Sequence, residues 1–302
     1  VKNRKSSNRR TEVKIAYIGG GSRGWAPILM TDLALCPNLT GRLCLYDINH
    51  EAAKANVEVA GNIFGHRDAQ TSFEVTSVEN LKDALAGADF VVLSIEPGPI
   101  TMRYADLEIP AKYGIIQPVG DTTGPGGILR ALRAVPIYEQ YAHQIMSHCP
   151  EAWIINYTNP MTVCTASLYA AEPEIKAFGC CHEVFGTQKI LSHWVGEWFG
   201  VDVPDRREIQ LDIAGINHFT FASAAAWNGQ DLFPHLWGMV RRKGFFSDHT
   251  AEALMRREKE LWFDHDALIA CDYLVRFGVL GAAGDRHLAE FVPWYLGSEE
   301  EL

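Results

Sequence analysis

The chain reads as an α/β protein, with a doubly wound parallel sheet in its first part and a mixed α/β region after it. Three observations carry that reading. At VKIAYIGGGSRGW an apolar strand runs directly into a glycine turn and then a helix. Apolar strands and amphipathic helices alternate through the first hundred residues, an order that requires crossover connections and so a parallel sheet. The segment FVVLSIEPGP is an unbroken apolar run, as expected of a central strand covered on both faces.

The first strand begins at Glu12, and its glycine turn opens a helix through APILMTDLALC. A second strand, RLCLYDI, ends on Asp47. An amphipathic helix follows over His50–Phe64, then a polar strand at FEVTSV. SVENLKDALAGAD reads as a short helix capped by Ser77, whose hydroxyl can accept an orphan N–H of the first turn. It leads into FVVLSIEPGP. Helix is expected from Ile128 to Met146, a buried strand in AWIINYTNP, a helix in MTVCTASLYAA and a strand in IKAFGCC. The pattern then mixes, with a helix over Phe185–Trp198, a strand in EIQLDIAGINHFTF and a helix over Thr250–Phe277. These elements place a Rossmann-type dinucleotide-binding domain at 12–185 and an α+β region at 186–302. No repeat or flexible linker separates them. EFVPWYLGSEEEL ends without a closing element, which reads as a C-terminal truncation.

Composition narrows the partners. A 302-residue chain that is 47% hydrophobic can bury a core without disulfides. Its net charge of -10 opposes binding to a nucleic-acid backbone, although a local arginine can still grip a small anion. The basic start VKNRKSSNRR has no apolar stretch behind it and reads as a tail, and no apolar run approaches the ~18–20 residues of a membrane span. Seven cysteines, odd in number and without framework spacing, fit reduced thiols in a cytoplasmic protein.

Gly19, Gly21 and Gly24 satisfy G-x-G-x-x-G between a strand and a helix, with Ser22 inside the turn. Glycines there allow a pyrophosphate to approach a helix N-terminus closely. Asp47, 23 residues past Gly24, can accept hydrogen bonds from a ribose diol, which favours NAD over NADP. Ser94 and Ile95 end the next buried strand, where such a cofactor crosses the sheet edge.

Five polar clusters follow: GDTTGPGG (120–127), NYTNP (156–160), CCHEVFG (180–186), GINHF (215–219) and AAGDRHLAEF (282–291). Each alone has an ordinary explanation as a turn, a buried thiol pair or a surface ion pair. Ligands of open α/β sheets bind beyond the strand C-termini, so the clusters are candidates for one cleft.

The glycine fingerprint, N-x-x-N-P, a Cys-His pair 22 residues past the second Asn, and a downstream G-x-N-H together resemble glycoside hydrolase family 4 from about Val13 to Phe291. CHEV at Cys181–Val184, with PVGDTTGPGG and AAGDRHLAEF, resembles its α-galacturonidase branch. Members acting on 6-phosphorylated sugars carry Cys-Asn there, so His182 points to an unphosphorylated uronide or glycoside. The resemblance implies an NAD- and divalent-metal-dependent hydrolase, usually with Mn2+. The sugar is oxidised at C3, deprotonated at C2, loses its aglycone and takes up water, and NAD is restored each turn. It implies Cys181 and His218 as metal ligands, Asn159 at the sugar hydroxyls and Asp121 as general acid. Asp285 is the expected base, with Tyr273 as the alternative. Arg286 and His287 are candidates for the substrate carboxylate, and Glu183 for orienting His182 or a sugar hydroxyl. The resemblance also implies a homodimer or homotetramer. Galacturonide, glucuronide and neutral α-glucoside stay open as substrates. Two readings from other classes also stand: an NAD-dependent 2-hydroxy acid dehydrogenase, and an inactive truncated NAD-binding module.

Overall fold

The computed structural model describes residues 10–243 and 267–297. Two compact units emerge: one is the chain up to Ile100 together with Ala131–Cys180, the other Thr101–Arg130 together with the chain from Cys181.

The first unit is built on six parallel strands, β1 (Thr11–Ile18), β2 (Leu39–Tyr46), β3 (Phe73–Val78), β4 (Phe90–Leu93), β5 (Trp153–Asn156) and β6 (Lys176–Gly179). Their spatial order is β3-β2-β1-β4-β5-β6. This is the doubly wound order, with its topological switch between β1 and β4. Alternation along β1 shows why the strand is apolar throughout. Ala16 and Ile18 enter one core with Val91, Leu93 and Ile154, while Ile15 and Tyr17 enter the opposite core with Leu43, Leu45 and Val92. The intervening helices are α1 (Trp25–Ala34), α2 (His50–Phe64), α3 (Leu81–Leu85) and α6 (Met161–Ala171). Asn49 caps α2, its side chain accepting from Ala52 N. Ser77 does not cap α3. It lies inside β3, paired with Leu45, and the position before α3 is Asn80. The strand ladder prevails there over the local capping signal.

Asn156 ends β5 fully buried and organises the loop after it. Its Oδ1 accepts from Tyr138 Oη at 2.6 Å and Thr158 N at 3.0 Å, and its Nδ2 donates to Thr158 O, Met161 O and Thr165 Oγ1.

The second unit holds α4 (Thr101–Ala111) and α7 (Glu183–Phe199), followed by an antiparallel hairpin of β7 (Ile209–Ile216) and β8 (Phe219–Trp227). β9 (Gln230–Asp231) and β10 (Leu280–Gly281) both pair with β8. Also present are α8 (Phe233–Lys243), α9 (Leu268–Phe277) and α10 (Asp285–Glu290). Leu191, Val195, Ile209, Ala222, Leu274 and Leu288 meet in its core. The single strand expected in EIQLDIAGINHFTF is two strands, because Asn217 and His218 form a tight turn between Ile216 and Phe219. Of the helix expected over Thr250–Phe277, Leu268–Phe277 is observed and residues 250–266 lie outside the described residues, as does the tail up to residue 9.

The division between units falls at Ile100/Thr101, inside α5 (Gly124–His148) and again at Cys180/Cys181. Segment 101–130, expected within the first domain, therefore belongs to the second unit. Backbone bonds from Val119 and Gly120 to Glu290, and a side-chain bond between Thr122 and His218, account for that allegiance. Among the described residues no helix is long and apolar enough to cross a membrane.

Replacing Asn156 by Ala would leave Tyr138 Oη and Thr158 N buried without their acceptor, a loss of about 2–4 kcal/mol. Urea denaturation of the variant tests this, and a change below about 1 kcal/mol would show that the loop holds without Asn156.

Candidate functional site

In the first unit the glycine turn packs against the ends of β2 and β4. Gly19 N and Gly20 N both donate to Tyr46 O at 2.9 Å. Gly19 has φ +96°, and a Cβ there would lie 1.9 Å from Ser94 O, so no other residue fits. Gly21 N donates to Asp47 Oδ2 and Asn49 N to Asp47 Oδ1, each at 2.9 Å, which aims the carboxylate and leaves lone pairs for further donors. Ser22 Oγ accepts from Trp25 N at the start of α1. Gly24, by contrast, has open space where a Cβ would sit. Gly24 precedes the ten-residue α1, and a helix N-terminus after a glycine turn is where a dinucleotide phosphate is expected to bind. Ser94 N bonds Ile18 O, and Ile95 N bonds Thr158 Oγ1 at 2.9 Å, which fixes the β4 end beside the turn. Asn159 lies half-buried in the loop after β5.

In the second unit Asp121 and Thr122 precede α5, and His218 sits at the hairpin tip in the left-handed region, φ 64°. A non-glycine residue held there carries backbone strain, a pattern frequent at functional sites. Thr122 Oγ1 lies 2.7 Å from Asp121 Oδ1, to which it donates, and 2.7 Å from His218 Nδ1. His218 Nδ1 is itself 3.7 Å from Asp121 Oδ1. The His287 ring stacks on that of His218, with centroids 3.6 Å apart and planes at 21°. One potential ligand atom from each of Asp121, His218 and His287 falls within 4.8 Å of the others. Arg103 Nη2 stands 3.9 Å from Asp121 Oδ2.

Burial, reinforced by His287 and opposed by Asp121 and Glu183, brings the His218 pKa down to about 4. The ring is therefore neutral near pH 7. Because the Thr122 hydroxyl proton goes to Asp121, hydrogen-bond logic places the imidazole proton on Nδ1, donating to Thr122, and leaves the Nε2 lone pair available. Two imidazoles and a carboxylate form a mixed N/O set that suits a divalent first-row cation.

The family model described as family 4 glycosyl hydrolase matches residues 14–197, and that of the family 4 C-terminal domain matches residues 213–301. The chain belongs to glycosyl hydrolase family 4. It is 46% identical over 298 residues to an α-galacturonidase of Thermoanaerobacterium saccharolyticum, covering 96% of this chain and 63% of that protein. It is 47% identical over 286 residues to an α-galacturonidase of Bacillus subtilis, covering 93% and 61%. An α-galactosidase of Bacillus subtilis is 31% identical over 288 residues, covering 94% and 60%. The chain thus spans about three-fifths of the length of the curated relatives it matches. Among solved structures, lplD from Bacillus subtilis superposes with a TM-score of 0.86 at 43% identity, covering 96% of this chain and 66% of that one. A 6-phospho-β-glucosidase from Thermotoga maritima, solved with manganese, NAD+ and glucose-6-phosphate, gives 0.67 at 25% identity, covering 93% and 60%.

Within this family 4 chain the residues expected from sequence fall into distinct environments. Asp121, His218 and His287, expected in three different roles, are brought together. Cys181 lies outside that group; it is half-buried, and burial pushes its thiol pKa up. Asp285, the expected base, accepts Ile269 N and Ala270 N, one on each oxygen at 3.0 Å, and so caps the start of α9. The Tyr273 hydroxyl is buried without a hydrogen-bond partner among the described residues, and burial raises its pKa to about 12. Arg286 is on the exposed side of α10, whereas its neighbour His287 turns inward. Glu183 accepts from Gly284 N and stands 3.5 Å from His182, whose side chain is 65% exposed.

Four participants escaped the sequence reading. Asn56, which holds Gly20 O and Ser22 O, was detectable as the one polar residue on the buried stripe Ala53–Asn56–Ala60 of α2. Arg103, Thr122 and Glu290 offered no local signal, since their importance arises from contacts distant in sequence.

Thr122→Val keeps the side-chain shape but removes the bridge between Asp121 and His218. Divalent-cation affinity in a Mn2+ titration should fall about 10–100-fold, with Thr122→Ser retaining most of it. Equal affinities for wild type and valine variant would show that the bridge does not order the group.

Proposed function

We propose that this chain carries the cofactor- and metal-holding parts of a family 4 α-galacturonidase. The observation that supports this most directly is graded similarity. Identity is 46–47% to four α-galacturonidases and 27–31% to relatives named α-galactosidase, α-glucosidase and maltose-6'-phosphate glucosidase. A 2-hydroxy acid dehydrogenase works with an Asp-His pair and an arginine, so it would employ Asp121, His218 and Arg103 but leave Cys181 and the stacked His287 without a task, and a bare NAD-binding module leaves the whole group without one.

In this reading Gly19, Gly21, Ser22, Gly24, Asp47, Ser94 and Ile95 bind NAD, with Asp47 facing the ribose and the N-terminus of α1 the pyrophosphate. Asp121, His218 and His287 hold a divalent metal, Mn2+ foremost, with the Cys181 thiolate kept as the further ligand that the family resemblance implies. When bound, the two groups supply reversible oxidation of the sugar and Lewis-acid polarisation of its oxygens. The chain's own residues do the positioning. Thr122 and Asp121 keep the His218 proton on Nδ1, Asn159 and His182 contact sugar hydroxyls, and Glu183 orients His182. For the C6 carboxylate we choose Arg103, which stands at the metal group, over the exposed Arg286; a guanidinium binds a carboxylate in bidentate fashion. Seven thiols without a disulfide fit action in the cytoplasm, and a homo-oligomer is expected from the family.

Hydrolysis of 4-nitrophenyl α-galacturonide should require NAD, Mn2+ and a thiol together and accumulate no NADH. Steady NADH from a hydroxy acid without glycoside cleavage would instead indicate a dehydrogenase. Arg103→Met should raise KM for the galacturonide about 10–100-fold while leaving a neutral galactoside unaffected. Arg286→Met should leave both unaffected; the reverse pattern would return the carboxylate to Arg286.

A further inference from the structure

Glu290 ends α10, 170 residues from Gly120 in sequence. Its Oε1 nevertheless accepts the backbone N–H groups of both Val119 and Gly120 at 2.6 Å. Two successive N–H groups that converge on one oxygen form a small anion-binding concavity of the backbone. Gly120 makes that turn possible with φ +60°, and a Cβ there would lie 2.5 Å from Leu107 Cδ2. On its other side Gly126, in the first turn of α5, packs so closely that its own Cβ would lie 2.5 Å from Gly120 O.

The residue after this turn is Asp121. Val119–Thr123 belong to no strand or helix, so no backbone ladder holds Asp121 and Thr122 in place. The Glu290 carboxyl is buried, and its Oε2 has no hydrogen-bond partner among the described residues. Burying a carboxyl group with one oxygen unsatisfied is costly. The two bonds made by the other oxygen are what that arrangement secures.

We propose that Glu290 is the positioning residue of the Asp121 loop. It clamps the Val119–Gly120 turn and thereby fixes Asp121 and Thr122 against His218. The proposal rests on the reading of Asp121 as part of the metal group. Its physical content is precision, since site groups displaced by about 1 Å lose much of their effect.

The test compares Glu290→Ala, Glu290→Gln and Glu290→Asp in the full chain with NAD present. Mn2+ affinity is read from the paramagnetic resonance of free Mn2+, NAD affinity from fluorescence, and kcat and KM from galacturonide hydrolysis. Glu290→Ala should weaken Mn2+ binding and lower kcat about 10–100-fold, with KM and NAD affinity unmoved. Glu290→Gln keeps an oxygen in the Oε1 position and should recover most of both losses. Glu290→Asp keeps the charge, falls one methylene short of the turn and should behave like Ala; it carries the test if the Ala variant does not fold. Mn2+ affinity and kcat unchanged in the Ala variant would overturn the proposal. So would a Gln variant as impaired as Ala, which would make the charge rather than the clamp essential. Should the galacturonide prove not to be a substrate, the Mn2+ arm still reads the clamp independently.

Discussion

Thr122 has one hydroxyl proton and two polar neighbours at 2.7 Å, and it cannot donate to both. With the proton on the Asp121 side, His218 must donate from Nδ1, so the opposite nitrogen of a neutral ring is left with its lone pair. The rest of the second unit serves that constraint. The β7–β8 hairpin holds His218 in a strained turn, His287 stacks on its ring, and burial keeps the imidazole uncharged near neutrality. Arg103 and Glu290 bear on the Asp121 loop from α4 and α10.

The two units solve different versions of one problem, which is to keep polar groups ordered where the strand and helix ladders end. In the first unit Asn56 and Asn156 do this from buried positions, each bonding loop backbone on more than one side. In the second unit carboxylates do it. Asp285 caps α9, Glu183 holds Gly284 and Glu290 holds Val119 and Gly120. Desolvation is the common cost. It is visible in Glu290, whose pKa burial raises to about 7 against the lowering effect of its two backbone bonds.

The fold was largely legible in the sequence because its signals are periodic and local. The strand–glycine–helix order, the apolar run of β4 and Asp47 at the end of β2 each follow from neighbours within a few residues. The same locality produced the errors. Ser77 looks like a helix cap until pairing with β2 claims it, and a single long strand at 208–221 conceals a two-residue turn at Asn217–His218. At the site, the family resemblance brought out Asp121 and His218 and chemical type brought out His287, as parts of clusters that could share one cleft but not as one three-residue group. Asp285 and Arg286 stood out by chemical type, yet a capping bond and a solvent-facing helix side determine their environments. Thr122 and Glu290 act through partners 96 and 171 residues away, and no window along the chain can see that.

The most direct test of the central claim is the position of bound Mn2+ by anomalous scattering in crystals grown with NAD. The account predicts a single peak at coordination distance, about 2.0–2.3 Å, from a nitrogen of His218, with Asp121 and His287 in its immediate shell. A fully occupied peak remote from His218, with Asp121, Thr122 and His218 arranged as they are here, would contradict it.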